Sequence, residues 1–99
     1  MSDIEEVADV FKALASPVRL RILEMVSETK RPLHIKGIAR QLNLDYASVH
    51  RHVSNLRKFG LVEVYEVGRS RVLSVSKQKE ITRIIQLSSQ LTGKQAVDS

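Results

Sequence analysis

The chain has no cysteine, few glycines and no long hydrophobic run. Without cysteine it can form neither a disulfide framework nor a thiolate metal site. Its four glycines are too scattered to make a phosphate-binding loop, and neither a nucleophile–base pair nor paired carboxylates occur in a catalytic spacing. No apolar run approaches about 18 residues, and no charged-then-apolar leader opens the chain. We therefore expect a protein of the cytoplasm that is not an enzyme and has no membrane partner.

Length, composition and charge predict one small globular domain with an anionic partner. The chain has 99 residues, 42% of them hydrophobic, which is ordinary for a single folded domain. We expect residues 1–91 to form that domain and residues 92–99 to be a polar tail. The net charge of +5 favours an anionic partner. Residues 50–79 contain seven basic and two acidic side chains, whereas residues 1–15 contain one basic and four acidic side chains.

Residues 45–60 have the pattern of one capped amphipathic helix. Asp45 can accept hydrogen bonds from the backbone of the first turn, and its charge suits the positive end of a helix. Gly60 can adopt the left-handed conformation that ends a helix. We therefore predict a helix over residues 45–59.

The two faces of this helix differ sharply in chemistry. At about 100° per residue, the apolar arc consists of Val49, Val53, Leu56 and Phe59, with His52 beside it. The opposite arc carries Tyr46, Ala47, His50, Arg51, Ser54, Arg57 and Lys58. No acid interrupts this second arc, and a helix in a DNA major groove needs such cations and short polar groups. The simpler interpretation is a basic face that only contacts solvent.

The remaining pattern predicts an α+β, mainly α, winged helix-turn-helix fold. Helical spacing of apolar residues indicates further helices over residues 3–15, 17–29, 36–42 and 77–91. Ser16 and Ser76 are predicted caps for the second and last of these helices, and Asn43 suits a left-handed helix end. Residues 33–35 look like a short extra strand. Residues 61–67 and 71–76 are predicted to form a hairpin around a turn at 68–70, with Arg69 and Arg71 at its tip. The hairpin follows the two short helices in the order of a winged helix.

Selected residues of the central helix and the hairpin have predicted roles at a DNA duplex. The base-edge candidates lie in the N-terminal half of the helix, from which recognition helices read bases: Tyr46, Ala47, His50 and Arg51. The candidates for the phosphate backbone or the minor groove are Ser48, Ser54, Arg57, Lys58, Arg69 and Arg71. Ser48 can instead support the cap, and Lys36 and Arg40 are weaker backbone candidates.

The histidines do not form a predicted metal site. His50 and His52 are two residues apart, which places them about 200° apart around a helix, so they cannot share one ion. His52 borders the apolar arc and is expected to be half-buried and bonded to backbone or to a phosphate. His34 alone is not a site. We expect no metal and no other cofactor.

Three segments carry a resemblance to a known family. Residues 11–23 (FKALASPVRLRIL) are similar to its opening signature, residues 38–56 (IARQLNLDYASVHRHVSNL) to its helix-turn-helix, and residues 60–65 (GLVEVY) with 67–72 (VGRSRV) to its wing. Over residues 8–76 the chain resembles the ArsR/SmtB-type winged helix-turn-helix regulators.

The resemblance implies a homodimeric transcriptional regulator, most simply a repressor, that pairs through its first and last helices. The pattern agrees, since a chain this small cannot easily cover the apolar stripes of both helices within one subunit. The stripe residues predicted at the dimer interface are Ile4, Val7, Phe11, Ile81, Ile84, Leu87 and Leu91.

The chain departs from the metal-sensing members that the resemblance implies. Those sensors place thiolates near the start of the third helix, where this chain has His34 and Lys36, and a protonated lysine has no lone pair to donate. Sensors that use the last helix need His, Asp or Glu, and residues 77–91 offer only Glu80. A sensory metal is therefore not expected, and the effector remains open.

The sequence leaves three hypotheses for the function of the protein. The leading hypothesis is a sequence-specific regulator of double-stranded DNA, with residues 45–59 in the major groove and residues 67–72 on the backbone or minor groove. A non-specific architectural DNA-binding protein would bind every duplex alike. A winged helix that serves as a protein-interaction module would bind an acidic protein instead.

Overall fold

The computed structural model describes residues 3–29 and 31–93. The described helices are α1 (Ile4–Leu14), α2 (Pro17–Thr29), α3 (Ile35–Leu42), α4 (Tyr46–Lys58) and α5 (Gln78–Gln90). The strands are β1 (Leu33–His34), β2 (Val62–Val67) and β3 (Ser70–Val75). This order confirms the predicted winged helix-turn-helix, including the short extra strand. That strand ends one residue earlier than expected because Ile35 already begins α3.

The three strands form one antiparallel sheet in the order β1-β3-β2, so β3 is central. The predicted three-residue turn at 68–70 is wrong, because Ser70 pairs with Val67 and only two residues connect the strands. Gly68 has φ 63°, and Arg69 has a negative φ. This combination fits the type II′ turn that favours glycine at its first central position. Arg69 therefore lies at the hairpin tip, whereas Arg71 lies on β3.

One hydrophobic core joins all five helices to the hairpin. The predicted inward face of α4 is confirmed, because Val49, Val53 and Leu56 are at most 2% exposed. Phe59 caps the C-terminal end of α4 and is only half-buried. The other buried core residues are Leu14, Ile22, Leu23, Val26, Ile35, Ile38, Ala39, Val62, Leu73 and Ile81. Because one full side of α4 is held by this core, the opposite side keeps a fixed orientation.

Most of the predicted helix ends are confirmed. The Asp45 carboxylate accepts a 2.7 Å hydrogen bond from the Ser48 backbone N–H. Asn43 has φ 58° and Gly60 has φ 75°, so both adopt the left-handed conformation expected of helix ends. Ser16 precedes Pro17, and its hydroxyl accepts from the Arg19 backbone N–H at 3.3 Å.

The start of α5 differs from the prediction. Ser76 is not its cap, because α5 begins at Gln78 after Lys77, which makes no capping side-chain bond. The Ser76 N–H instead donates to the Leu61 carbonyl at 3.1 Å and closes the base of the hairpin. The Gln78 side chain donates to the Ser27 carbonyl at 2.7 Å and ties α5 to α2. Of the predicted tail at 92–99, all but Thr92 and Gly93 lies outside the described residues.

The apolar stripes of α1 and α5 are largely exposed on the single subunit. The exposed fractions are 77% for Ile4, 37% for Val7, 53% for Phe11, 49% for Leu87 and 87% for Leu91. Ile84 is half-buried and lines an apolar groove of about 500 Å³ between the two helices. The assignment of Ile81 to a dimer interface is wrong, since it is 3% exposed and packs in the core of its own subunit. No helix in the described part of the chain has the length and apolarity needed to cross a bilayer.

Candidate nucleic-acid interface

The predicted outward face of α4 lies at the surface. Tyr46 is 42% exposed. Ala47, Arg51, Ser54, Arg57 and Lys58 are exposed as well, and His50 is half-buried. No acidic residue occurs between Tyr46 and Lys58. This face is therefore basic and accessible over the whole length of the helix.

The first turn of α4 orients Arg51. The Arg51 guanidinium donates to the Ser48 hydroxyl at 3.2 Å, and the Ser48 backbone N–H donates to the Asp45 carboxylate. Hydrogen bonds from Ser48, with its backbone contributing most, lower the pKa of Asp45 below its ordinary value. Asp45 therefore stays ionised near neutral pH and supports both the helix end and Ser48. Ser48 therefore supports the cap, the alternative role predicted for it, and orients Arg51.

His50 links α4 to the hairpin. Its ring stacks on Tyr46, with 6.0 Å between ring centroids and 19° between the planes. Its Nε2 atom lies 2.8 Å from Nη1 of Arg71. Arg71 was predicted at the hairpin tip, but its place on β3 brings it to the outward face of α4. Residues from both the helix and the hairpin thus meet in one cluster.

A basic cleft opens between the start of α3, the start of α4 and the hairpin. The cleft measures about 300 Å³, and its lining contains no acid: His34, Lys36, Tyr46, Arg69, Ser70 and Arg71. Among the described residues, the side chains of Lys36 and Arg69 have no hydrogen-bond or ion-pair partner. An anionic group could approach all three cations here without displacing a carboxylate. Sequence reasoning gave Lys36 only a minor role, although its position in the first turn of α3 was the available signal.

A second cavity of about 440 Å³ lies between α4 and the hairpin. It brings Ser54 and Arg57 beside His50 and Arg71, together with one acid, Glu66. Lys58 is not part of this group. Its ammonium lies 5.5 Å from the centre of the Phe59 ring, which places it at the far end of the helix.

His52 has a different partner from the one predicted. Its Nδ1 accepts a 3.2 Å hydrogen bond from Nε of Arg19, so its partner is a side chain and not the backbone. Arg19 also donates to the Ala13 carbonyl at 3.1 Å and thereby connects α4 to the end of α1. Burial lowers the pKa of His52, and the charges of Arg19 and Arg51 add to the effect. His52 is therefore a neutral structural contact between helices.

Among residues 3–29 and 31–93, no three His, Cys, Asp or Glu side chains are grouped so that they could hold a metal ion. His50 and His52 each pair with an arginine, on different sides of α4.

A comparison with known protein families shows to which family the chain belongs. Residues 14–80 match the model of the family designated HVO_A0114. The chain belongs to the HVO_A0114 family. The matched segment contains the helix-turn-helix, the hairpin and the basic cleft, and it leaves out most of α1 and most of α5. Membership in the HVO_A0114 family therefore rests on the winged helix-turn-helix itself. No protein of curated function matches the sequence significantly.

Solved structures of low sequence identity share the fold of this HVO_A0114 family member. NolR from Sinorhizobium fredii is 25% identical, with a TM-score of 0.77 over 93% of this chain and 89% of NolR. HlyU from Vibrio cholerae is 24% identical, with a TM-score of 0.75 over 95% of this chain and all of HlyU.

A third protein with this fold is the Mb0332 domain from Mycobacterium bovis, which is 23% identical to this chain. Its TM-score is 0.76 over 94% of this chain and 88% of that domain. Mb0332 is described as a homodimeric winged helix-turn-helix DNA-binding domain of a possible ArsR-family regulator. The resemblance to ArsR-type winged helix-turn-helix proteins is thus confirmed in fold.

Proposed function

We propose that this protein is a sequence-specific DNA-binding transcriptional regulator that acts as a homodimer. The observation that carries the proposal is the acid-free, exposed face of α4, which continues into the basic cleft beside the hairpin. In this arrangement α4 enters the major groove and the hairpin contacts the backbone or the minor groove. A major-groove helix needs base-reading groups on its exposed face and cations at its margins, and α4 has both.

The base-reading residues in this proposal are Tyr46, Ala47, His50 and Arg51. Arg51 is the strongest candidate because Ser48 already orients its guanidinium, which suits bidentate pairing with guanine. Ala47 is small and exposed and can contact a thymine methyl group. Tyr46 and His50 are stacked together and present one rigid edge to the groove.

The remaining cations surround this reading edge and are proposed to hold the sugar-phosphate backbone. Arg69 at the hairpin tip and Lys36 at the start of α3 are unpaired among the described residues. Arg57, Lys58 and Ser54 continue the same face along α4. Phosphate contacts of this kind fix the register of a protein on DNA but do not themselves read sequence. In this proposal, the residues that provide affinity are therefore different from the residues that provide selectivity.

The dimer in this proposal forms through the exposed stripes of α1 and α5. Several large apolar residues there are exposed on the single subunit, and a two-fold partner would cover them. Two copies of α4 would then enter successive major grooves about 34 Å apart on a palindromic site. The mode of action in this proposal is repression in the cytoplasm by occupation of the operator. No enzymatic activity and no cofactor form part of the proposal.

Selection of bound duplexes from a random pool tests this function. We expect the wild-type protein to enrich a palindrome whose half-sites are about one helical turn apart. Arg51→Ala should blur one base pair in each half-site, whereas Arg69→Ala should weaken binding to the selected and random duplexes alike. Enrichment of no sequence would contradict the proposal: uniform binding would indicate an architectural protein, and no binding would favour a protein-interaction module.

A further inference from the structure

The contact between Arg71 and His50 determines which nitrogen of the histidine carries its proton. Nη1 of Arg71 lies 2.8 Å from Nε2 of His50. A guanidinium has five N–H donors and no acceptor, so the ring nitrogen must be the acceptor in this bond. Nε2 is therefore unprotonated, with its lone pair engaged by Arg71, and the proton of the neutral imidazole is on Nδ1.

The ring of His50 is held on two sides. Arg71 bonds its outer nitrogen, and Tyr46 stacks on its face. Within the described part of the chain, Nδ1 has no hydrogen-bond partner of its own. His50 is thus left with one hydrogen-bonding group available to a ligand, the Nδ1–H donor.

A ring restricted to donation discriminates among base edges in the major groove. It matches the acceptors at N7 and O6 of guanine, N7 of adenine and O4 of thymine. It does not match the amino donors of cytosine and adenine. The opposite tautomer would present an acceptor and would reverse this preference. The tautomer of His50 therefore determines which base edges this residue can contact.

We propose that Arg71 is a positioning residue that sets the base preference of His50 by keeping its proton on Nδ1. The inference rests on the proposed function, because it assigns Arg71 a role in the selectivity of the same interface. Glu66 faces Arg71 across the strands and lines the same cavity. Among the described residues, however, the partner of the Arg71 guanidinium is His50.

Nitrogen-15 NMR of the histidine rings tests the first half of this proposal without DNA. In alkaline buffer, where imidazoles are neutral, correlations between ring nitrogens and ring carbon-bound protons distinguish the Nδ1–H form from the Nε2–H form. We expect Nδ1–H at His50 in the wild-type dimer and in Arg69→Ala. We expect a shift toward Nε2–H in Arg71→Ala. The Arg69 variant loses the same charge two residues away but does not contact His50, so it is the matched control.

Measured affinities for different operators test the second half of the proposal, which concerns the base preference of His50. The ratio of affinities for operators that differ at the base pair facing His50 should fall roughly 2- to 12-fold in Arg71→Ala, the range of one net hydrogen bond. Arg69→Ala should lower all affinities and leave that ratio unchanged. In a His50→Ala background, Arg71→Ala should have no further effect on the ratio, because Arg71 acts through His50.

The outcomes separate this inference from the function on which it rests. An Nε2–H ring in the wild-type protein would overturn the proposal, as would a ratio that changes equally in the Arg69 and Arg71 variants. An Nδ1–H ring that shifts toward Nε2–H in Arg71→Ala, in a protein that binds all duplexes alike, would refute the proposed function and the role in selectivity. The same result would support the control of the tautomer by Arg71.

Discussion

The salt dependence of DNA binding should report how many phosphates the hairpin tip neutralises. Arg69 is exposed at the two-residue turn and is unpaired among the described residues. Each phosphate neutralised contributes about −0.9 to the slope of log K against log salt concentration. A homodimer has two copies of Arg69, so Arg69→Ala should make the slope shallower by about 1.8. Between about 50 and 200 mM salt, the wild-type protein should then lose roughly 12-fold more affinity than the variant.

Fluorescence anisotropy with a labelled duplex, titrated at several salt concentrations, measures both slopes. Lys79→Ala is the charge-matched control, because Lys79 is on α5 in a depression formed by residues of that helix alone. Its slope should equal that of the wild-type protein. A random duplex should show the same difference between Arg69→Ala and the wild-type protein as the selected operator does, since phosphate contacts are independent of sequence.

Two results would refute this reasoning. An unchanged slope for Arg69→Ala would mean that the hairpin tip does not lie on the backbone. An equally shallow slope for Lys79→Ala would mean that net charge, and not the position of Arg69, governs the salt dependence.

Three further predictions concern stability and assembly. Leu73→Ala, which removes a fully buried side chain from the central strand, should cost about 2–5 kcal/mol in urea unfolding, whereas Val67→Ala at the exposed hairpin should cost under about 0.5 kcal/mol. Leu87→Glu should convert the proposed dimer to a monomer in light scattering, whereas Val67→Glu, which adds the same charge at a comparably exposed apolar site, should not. If both variants remain dimeric, α5 is not part of the interface. Because the pKa of His52 is lowered from 6.5 on folding, the unfolded chain binds more protons just below that pH, and stability should fall as the pH falls through about 6.5. His52→Gln should flatten this part of the curve of melting temperature against pH, and an unchanged curve would rule out a contribution from His52.

The features predicted correctly from the sequence depend on residues close together along the chain. The cap at Asp45 involves Ser48, three positions away, and the left-handed ends at Asn43 and Gly60 are properties of single residues. The two faces of α4 follow from the 3.6-residue period of a helix. Local geometry of this kind was sufficient to predict which side of α4 is buried and which is exposed.

The features that were missed depend on contacts between distant segments. The bonds from Arg19 to His52 and from Arg71 to His50 span 33 and 21 residues, and no local pattern indicates them. Ile81 lies on the same apolar stripe of α5 as Leu87, but Ile81 is buried in its own subunit and Leu87 is exposed. The spacing of apolar residues along one helix does not show which part of the stripe the same subunit buries. Both the long-range hydrogen bonds and the burial of Ile81 are determined by tertiary packing.

Mapping of backbone amide NMR shifts on addition of the selected operator tests the central claim most directly. If α4 and the hairpin bind the duplex, the largest changes should fall at residues 45–58 and 67–71, with a smaller group at the start of α3. Amides around Lys79 should change little. Changes centred on α5, with residues 45–58 unaffected, would contradict the account.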